Sequence, residues 1–233
     1  MKENLIVKKG KKVIKMEFIA KSEGNSNIPK LENGVYTAIS SMLIDIGFQK
    51  SVLDSNVRRK FMMIWTIIGE FIEVNKEQLP RVMSKEYTLS LNEKSNLRKD
   101  LQAWRGQAFT EEELQGFDLL TIMNKPCQLQ IINEEKNGKT YNNISSIMAM
   151  PKGMTVEPLA ETTVFLTNNP ETWENWKKIP KWIKDKIKKA EGYENSELKA
   201  YVEEYEKSEE QNNNETTVVE NNGVIAPEDG LPF

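Results

Sequence analysis

The sequence has no histidine and only one cysteine, Cys127, among its 233 residues. The lack of an imidazole excludes histidine-based acid–base chemistry, nucleophiles activated by histidine and zinc sites with histidine ligands. A single cysteine cannot form an intramolecular disulfide, a redox pair or a thiolate metal cluster, which is typical of a reducing compartment. No stretch approaches the roughly 20 apolar residues that cross a bilayer, and lysines interrupt the N-terminal region where a signal peptide needs apolar residues. We therefore expect no membrane contact and a cytoplasmic location.

Net charge is also low, because 32 basic and 35 acidic residues give −3. The distribution is uneven: residues 1–30 carry +5, residues 31–153 carry 0 and residues 154–233 carry −8. Residues 207–222 contain few aromatic or bulky apolar side chains and are expected to be disordered. The sequence thus predicts a basic N-terminal extension (1–29), a folded domain (30–154), a linker with a lysine-rich helical segment (155–206) and a disordered acidic tail (207–233).

The first half of the folded domain has the pattern of consecutive strands. An Asn33-Gly34 turn signal precedes residues 35–47, whose alternation shifts phase and therefore predicts a long bent strand with a bulge. Residues 58–69 are apolar on both faces, as expected for a strand that is covered on both sides. Residues 81–91 alternate again, which predicts a third strand.

A helix and a hairpin follow these strands. Leu97, Leu101 and Trp104 recur at helical spacing, which predicts that the tryptophan packs with the two leucines. Residues 127–132 and 140–150 flank Asn137-Gly138, the strongest short hairpin signal. Further along, residues 180–189 place apolar side chains on one side of a lysine-rich helix, which we expect to dock on the domain with its lysines free for DNA. A helix that lies on anionic lipid is the weaker alternative, because its apolar stripe has only three residues.

The resulting element order is β-β-β-α-β-β, with the helix between strands three and four. This is the order of the OB-fold, a five-stranded barrel that binds oligonucleotides or oligosaccharides on strands two and three and on the loops after strands one and four. The alternative is a meander with a helix on one face. We predict a mainly β protein, a five-stranded OB-fold barrel with a C-terminal helical segment and a disordered acidic tail.

Two stretches of the predicted domain carry a family resemblance. Residues 84–119 (SKEYTLSLNEKSNLRKDLQAWRGQAFTEEELQGFDL) and 125–154 (KPCQLQIINEEKNGKTYNNISSIMAMPKGM) resemble bacteriophage proteins of replication modules that look like single-stranded DNA-binding proteins. The resemblance covers roughly residues 29–154. It implies an OB-fold protein that coats exposed single strands during phage DNA replication or recombination, in the cytoplasm of the bacterial host.

A single strand on such a barrel needs basic side chains for its phosphates and aromatic rings for its bases. Phe61 and Trp65 share a face of strand two, where a core position is the alternative that we favour for both. For residues 58–60, a solvated strand end is an equal alternative to phosphate contact. Tyr141, beside the hairpin turn, is the better stacking candidate. The predicted nucleic-acid-binding residues are Lys50, Arg58, Arg59, Lys60, Trp65, Arg81, Lys85, Tyr87, Lys136, Lys139 and Tyr141.

The terminal residues 226–233 (APEDGLPF) are similar to the acidic tip of bacterial single-stranded DNA-binding proteins. Pro227 and Gly230 depart from that tip, which carries further acids there. The resemblance implies that the matching residues bind a replication or recombination protein. These residues are Asp229, Leu231, Pro232 and Phe233.

The leading hypothesis is therefore a non-enzymatic protein that binds single-stranded DNA without a cofactor and recruits partners through its tip. The rival hypothesis is a phage interaction module whose barrel binds a protein and whose tail only solubilises it. An enzyme ranks third, because the aspartates are scattered and no phosphate-cradling motif or paired-metal spacing is present. The sequence leaves a homo-oligomer open.

Overall fold

The computed structural model describes residues 29–51, 54–74 and 76–221, with side chains as far as residue 211. The N-terminal extension up to residue 28 and the tip residues Asp229, Leu231, Pro232 and Phe233 lie outside the described residues. The strands are β1 (Gly34–Lys50), β2 (Val57–Val74), β3 (Glu77–Thr88), β4 (Pro126–Lys136), β5 (Lys139–Met148) and β6 (Thr163–Phe165). The α-helices are α1 (Asn96–Arg105), α2 (Glu111–Gln115), α3 (Lys181–Lys188) and α4 (Glu197–Asn221), and short 3₁₀ helices cover Leu119–Ile122, Pro170–Lys178 and Tyr193–Asn195.

The first five strands form one antiparallel sheet in the order β3-β2-β1-β4-β5, which curls into a half-barrel. The predicted order of three strands, a helix and two strands is confirmed. β6 pairs in parallel with β1 next to Met42, Leu43 and Ile44, and the sequence analysis does not predict it. The protein is therefore mainly β, with a fold that is consistent with a barrel.

The bend of β1 comes from two irregularities in its pairing with β2. The register shifts between Ser40 and Met42, as the predicted bulge requires, and again between Asp45 and Phe48. Gly47 lies in the second shift with a φ of +72°, and a Cβ there would approach Ala190 to 2.9 Å. Only glycine combines this backbone conformation with so close an approach. The long first strand can therefore pair with β4 near its start and with β6 near its middle.

Local signals position the other elements. Ser95 accepts a hydrogen bond from the Arg98 N–H at the start of α1, and Gly106 ends the helix in the left-handed conformation. Leu97, Leu101 and Trp104 are buried in the core. The β4–β5 hairpin turns at Asn137 and Gly138, which both have positive φ. These signals are local, so the sequence alone is sufficient to predict them.

The sheet has an apolar cluster on each face. The inner cluster contains Trp65, Leu101 and Trp104, whereas the outer cluster packs Met62 and Ile64 of β2 against the C-terminal segment. β2 is therefore buried on both faces, as its apolar pattern predicts. The C-terminal side chains of the outer cluster are Phe165, Trp173, Trp176, Ile179, Ile183, Ile187, Tyr193, Leu198 and Val202.

The outer cluster confirms one prediction about the C-terminal segment and changes another. Ile183 and Ile187 are buried, so α3 docks through its apolar face as expected. Residues 163–202 are however not a linker, because their tryptophans and isoleucines complete the core. α4 also continues to Asn221 through most of the segment that the sequence analysis expects to be disordered. No proline or glycine interrupts residues 207–221, so a helix that is anchored by Leu198 and Val202 meets no stop signal there.

Candidate nucleic-acid interface

Most of the predicted binding residues lie at the two ends of β1, whereas Trp65, Lys85 and Tyr87 lie along β2 and β3 between them. Lys50 pairs with Val57 at one end, next to the β1–β2 connection. At the other end Gly34 pairs with Ile131, and the β4–β5 hairpin that carries Lys139 extends beyond this point. The structure thus divides the predicted residues into a group near residues 50–60 and a group near residues 136–141, rather than one continuous cluster.

Two of the predicted aromatic contacts belong to the core. Trp65 is buried with its ring 6.0 Å from the ring of Trp104. Tyr87 is buried against Phe61, and its hydroxyl donates to Asp100 Oδ2 at 2.6 Å. Burial together with the Asp100 charge raises the pKa of Tyr87. Neither ring is accessible for base stacking, so Trp65 and Tyr87 are corrected from binding residues to core residues, and the core interpretation of Phe61 is confirmed.

Lys85 lies beside Tyr87 and Asp100. Its Nζ lies 2.7 Å from Asp100 Oδ2, the atom that also accepts the Tyr87 hydroxyl. The ammonium group is 5.6 Å from the centre of the Tyr87 ring. The charge of Lys85 is therefore used to pair with a carboxylate of α1 and to hold the helix on the sheet.

Arg59 pairs with a buried carboxylate. Its Nη2 lies 2.7 Å from Oδ2 of Asp45, and the same nitrogen donates to Asn168 Oδ1 at 2.9 Å. Asp45 also accepts hydrogen bonds from the backbone N–H groups of Gly47 and Thr167. Burial opposes ionisation of Asp45, but the bonds from Arg59, Thr167 and Gly47 outweigh it and hold the pKa of this carboxyl below its usual value. Arg59 therefore ties β2 to β1 and to the residues after β6.

We predict that acid weakens the interaction of Asp45 with Arg59, Gly47 and Thr167. The pKa of Asp45 is lowered in the folded state, so its contribution to the free energy of unfolding is complete above its usual pKa of 3.8 and is lost as the pH falls through the folded-state pKa. Unfolding monitored by circular dichroism at decreasing pH should show this loss in the native chain. The Asp45→Asn variant should lose less stability over the same pH range, and an equal loss in both would contradict the assignment.

Arg58, Lys60 and a residue of α3 form a second, outward-facing group. Arg58 pairs with exposed Asp54, and Lys60 Nζ lies 2.8 Å from Glu86 Oε1. The other oxygen of Glu86 pairs with Lys186 of α3. Burial opposes the Glu86 charge, whereas Lys186 and Lys60 outweigh it and lower the pKa of the carboxyl. Two lysines from distant parts of the sequence thus meet at one carboxylate.

Phe48 is the exposed aromatic ring nearest to these basic residues in the strand register. It lies opposite Arg59 in the β1–β2 ladder, and Lys50 lies opposite Val57 on the same face. The Leu89 N–H donates to the Arg59 carbonyl oxygen at 2.8 Å, which continues the row onto the end of β3. The side chain of Phe48 is 50% exposed. A ring bordered by arginine and lysine offers a stacking surface together with phosphate contacts.

We call this region the rim surface. It comprises side chains from both faces of the sheet at one end of β1 and β2: Phe48, Lys50, Val57 and Arg59 on one face, Arg58, Lys60 and Lys186 on the other, and Leu89 just after β3. The sequence analysis misses Phe48, since this residue lies where the polar loop after the first strand is expected to begin. The neighbouring Lys50 and Arg58 are a sequence signal for it, but its position opposite Arg59 depends on a register that the sequence does not reveal. The contribution of Lys186 likewise depends on how α3 docks.

The group at the other end of β1 is the β4–β5 hairpin. Lys136 and Lys139 are exposed and close the turn, with Glu134 and Glu135 beside them. Arg81 is partly buried between β3 and β5, where its Nη2 lies 3.4 Å from Asn142 Oδ1. This group therefore brings basic and acidic side chains together in similar numbers.

Tyr141 on this hairpin remains a candidate for stacking. Its side chain is 39% exposed and stands opposite Glu134. We expect Tyr141→Ala to change the free energy of unfolding by less than about 0.5 kcal/mol, as is usual for surface positions. Thermal unfolding of the variant checks this expectation, and a large loss of stability would show that the ring supports the core.

Metal-ligand clusters and membrane-spanning helices are two features that the described part of the chain does not show. No group of three or more cysteine, aspartate or glutamate side chains there could hold a metal ion. No helix within the described ranges is both long and apolar enough to cross a membrane. A capping box between Thr110 and Glu113 starts α2, and Glu113 also pairs with Arg105. The run Glu111–Glu113 therefore serves the helix end and a structural ion pair.

A comparison with protein-family models finds no model that matches the chain, and a comparison with curated proteins finds no match either.

Proposed function

We propose that this chain is an OB-fold protein that binds single-stranded DNA at the rim surface. The order of the strands and the position of α1 between β3 and β4 support the fold assignment. In OB-folds, strands two and three and the loop after strand one contact the ligand. The observation that carries the proposal is the place of the rim surface, which lies on β2 and the end of β3 beside the β1–β2 connection.

The composition of the rim surface fits a single strand better than a duplex. Phe48 presents a ring that any base can stack on, and the flanking cations can neutralise phosphates. The C-terminal segment covers the middle of the outer sheet face, which also favours the rim surface as the place where the single strand binds. Because the C-terminal segment packs on Met42, Ile44 and Ile64, the middle of that face is closed, and the strand would pass along the rim surface.

The pairing of basic residues favours a second candidate, a protein-interaction module. Arg58, Arg59 and Lys60 each have a carboxylate partner, so their charges are partly neutralised. Such a surface could accept an apolar protein side chain on Phe48 without nucleic acid. Recruitment of a replication or recombination protein by the C-terminal tip belongs to the first candidate, whereas in the second the tail only solubilises the protein.

Binding of labelled oligo-dT and of a duplex of equal length, measured by fluorescence anisotropy over a range of salt concentrations, distinguishes these candidates. We expect tighter binding of the single strand, with an affinity that falls as salt rises because phosphate neutralisation releases counterions. In the variant Lys50→Glu with Arg58→Glu, affinity should fall and the salt slope should become smaller by up to about 1.4, at about 0.7 for each single-strand phosphate contact.

The matched control is Lys125→Glu with Lys152→Glu. Both lysines are exposed, lie outside the rim surface and give the same change in net charge. Binding by this control should stay close to that of the native chain. Equal affinity of the native chain for single strand and duplex at low salt would overturn the proposal and favour the protein-interaction module.

A further inference from the structure

α3 and the 3₁₀ helix before it carry an unusual density of positive charge. Residues 177–189 contain 7 lysines and 1 aspartate. The apolar side of α3 is buried through Ile183 and Ile187, so its lysines lie at or near the surface. Lys181, Asp185 and Lys189 recur at intervals of four and form the most exposed stripe of the helix. We call the pair Lys181 and Lys189 the α3 strip.

Most other lysines of this region have partners. Lys178, Lys186 and Lys188 pair with Glu161, Glu86 and Glu206 respectively. Lys184 lies over the ring of Trp176 at 5.1 Å. Within the described ranges, Lys181 and Lys189 form no ion pair, and Asp185 is the acid that lies between them. The α3 strip therefore keeps its charge available at the surface.

Helix stability does not explain Lys181. The positive end of the helix dipole is at the first turn, where a lysine is unfavourable and an acid would be favourable. The first turn of α3 contains no acid and begins with Lys181 itself. Lysines in the last turn have the opposite effect, so Lys186 and Lys188 are accounted for by the dipole and by their glutamate partners.

The α3 strip continues the rim surface. Lys186 shares Glu86 with Lys60, and the side-chain amide of Gln49 donates to the Lys186 carbonyl oxygen at 3.0 Å. The C-terminal end of the helix therefore lies at the same corner of the sheet as Phe48 and Lys50, and just beyond it the Glu191 N–H donates to the Phe48 carbonyl oxygen at 2.8 Å. Along its axis, eight residues at 1.5 Å each place Lys181 about 12 Å from Lys189. A chain of phosphates that leaves the rim surface along α3 would meet both lysines in turn.

We infer that the α3 strip binds the phosphate backbone of single-stranded DNA that extends beyond the rim surface. The inference rests on the proposed function, and it adds a second contact region supplied by the C-terminal segment. The contact is electrostatic, since both residues of the strip are lysines and offer no ring to a base. It therefore contributes affinity and salt dependence without sequence preference.

The test compares Lys181→Gln with Lys189→Gln against the control Lys125→Gln with Lys152→Gln, each in the full chain. All four lysines are exposed, so thermal unfolding should be unchanged in both variants. Binding is measured with oligo-dT of about 4 and about 16 nucleotides, the short and long ends of OB-fold site sizes. On the longer strand, the α3 variant should show a salt slope that is smaller by about 1.4, and on the shorter strand it should match the control.

The outcomes separate this inference from the proposed function. If the native chain prefers single strand but both variants have the same salt slope on the longer strand, the α3 strip is not a contact and only this inference fails. If the shorter strand is affected as much as the longer one, the lysines act on the rim surface itself, which also overturns it. If the native chain has no preference for single strand, the proposed function fails and this inference fails with it.

Discussion

Arg59→Ala is expected to lower the free energy of unfolding by about 3 kcal/mol, the low end of the range for removing one partner of a buried ion pair. The substitution leaves Asp45 buried and charged without its main cation. The low end applies because the Arg59 side chain itself is 30% exposed, so water already screens part of the pair. Denaturant unfolding of the native and variant chains measures the difference.

The neighbouring residue Arg58 provides the control. Its side chain is 42% exposed and pairs with an exposed aspartate, so Arg58→Ala should cost less than about 1 kcal/mol. Adding Asp45→Asn to Arg59→Ala should recover part of the loss, because the unpaired charge is then gone. Similar losses for the two arginine variants would contradict the structural role of Arg59. The difference also means that a loss of DNA binding in an Arg59 variant does not by itself identify a phosphate contact.

Phe48→Ala should weaken binding of single-stranded DNA by about 1–3 kcal/mol, the usual worth of stacking one base on an aromatic ring. In affinity this is about 5- to 150-fold. The ring is half exposed and lies at the end of β1, so its loss removes a stacking surface with little effect on the core. Fluorescence anisotropy with oligo-dT at one fixed salt concentration gives the affinity, and thermal unfolding shows that the fold is retained.

Phe71→Ala is the matched control for this prediction. Phe71 is also a phenylalanine on a strand, is 57% exposed and lies on the distal part of the β2–β3 hairpin, away from the rim surface. Its variant should bind DNA as the native chain does. Equal losses in the two variants would mean that binding responds to general surface hydrophobicity, and no loss in either would remove Phe48 from the interface.

The structural features that the sequence predicts correctly depend on residues that lie close together in the chain. The buried character of β2, the packing of Trp104 with Leu97 and the hairpin at Asn137 all depend on residues that are close in sequence or on one periodic pattern. Such patterns are readable before any tertiary contact is known. The order of strands and helix follows from them directly.

The candidate site depends on longer-range pairing and could be predicted only in part. Lys50 and Arg58 were identified by charge and position, and both lie on the rim surface. The prediction that Tyr87 binds nucleic acid is wrong, because alternation along a strand does not show which face is inner. Lys186 reaches Glu86 across 100 residues of sequence, and β6 pairs with β1 over a similar separation. No pattern within a short stretch of sequence predicts these contacts.

The packing of the C-terminal segment on β2 has a consequence for where the chain can be divided. A fragment that ended at residue 154 would leave Met42, Ile44, Met62 and Ile64 without the tryptophans and isoleucines that cover them. A contiguous apolar sheet face of this kind favours self-association over a soluble monomer. The smallest fragment that keeps this face covered therefore extends at least to Val202, and the two parts of the chain are expected to unfold together in a single transition.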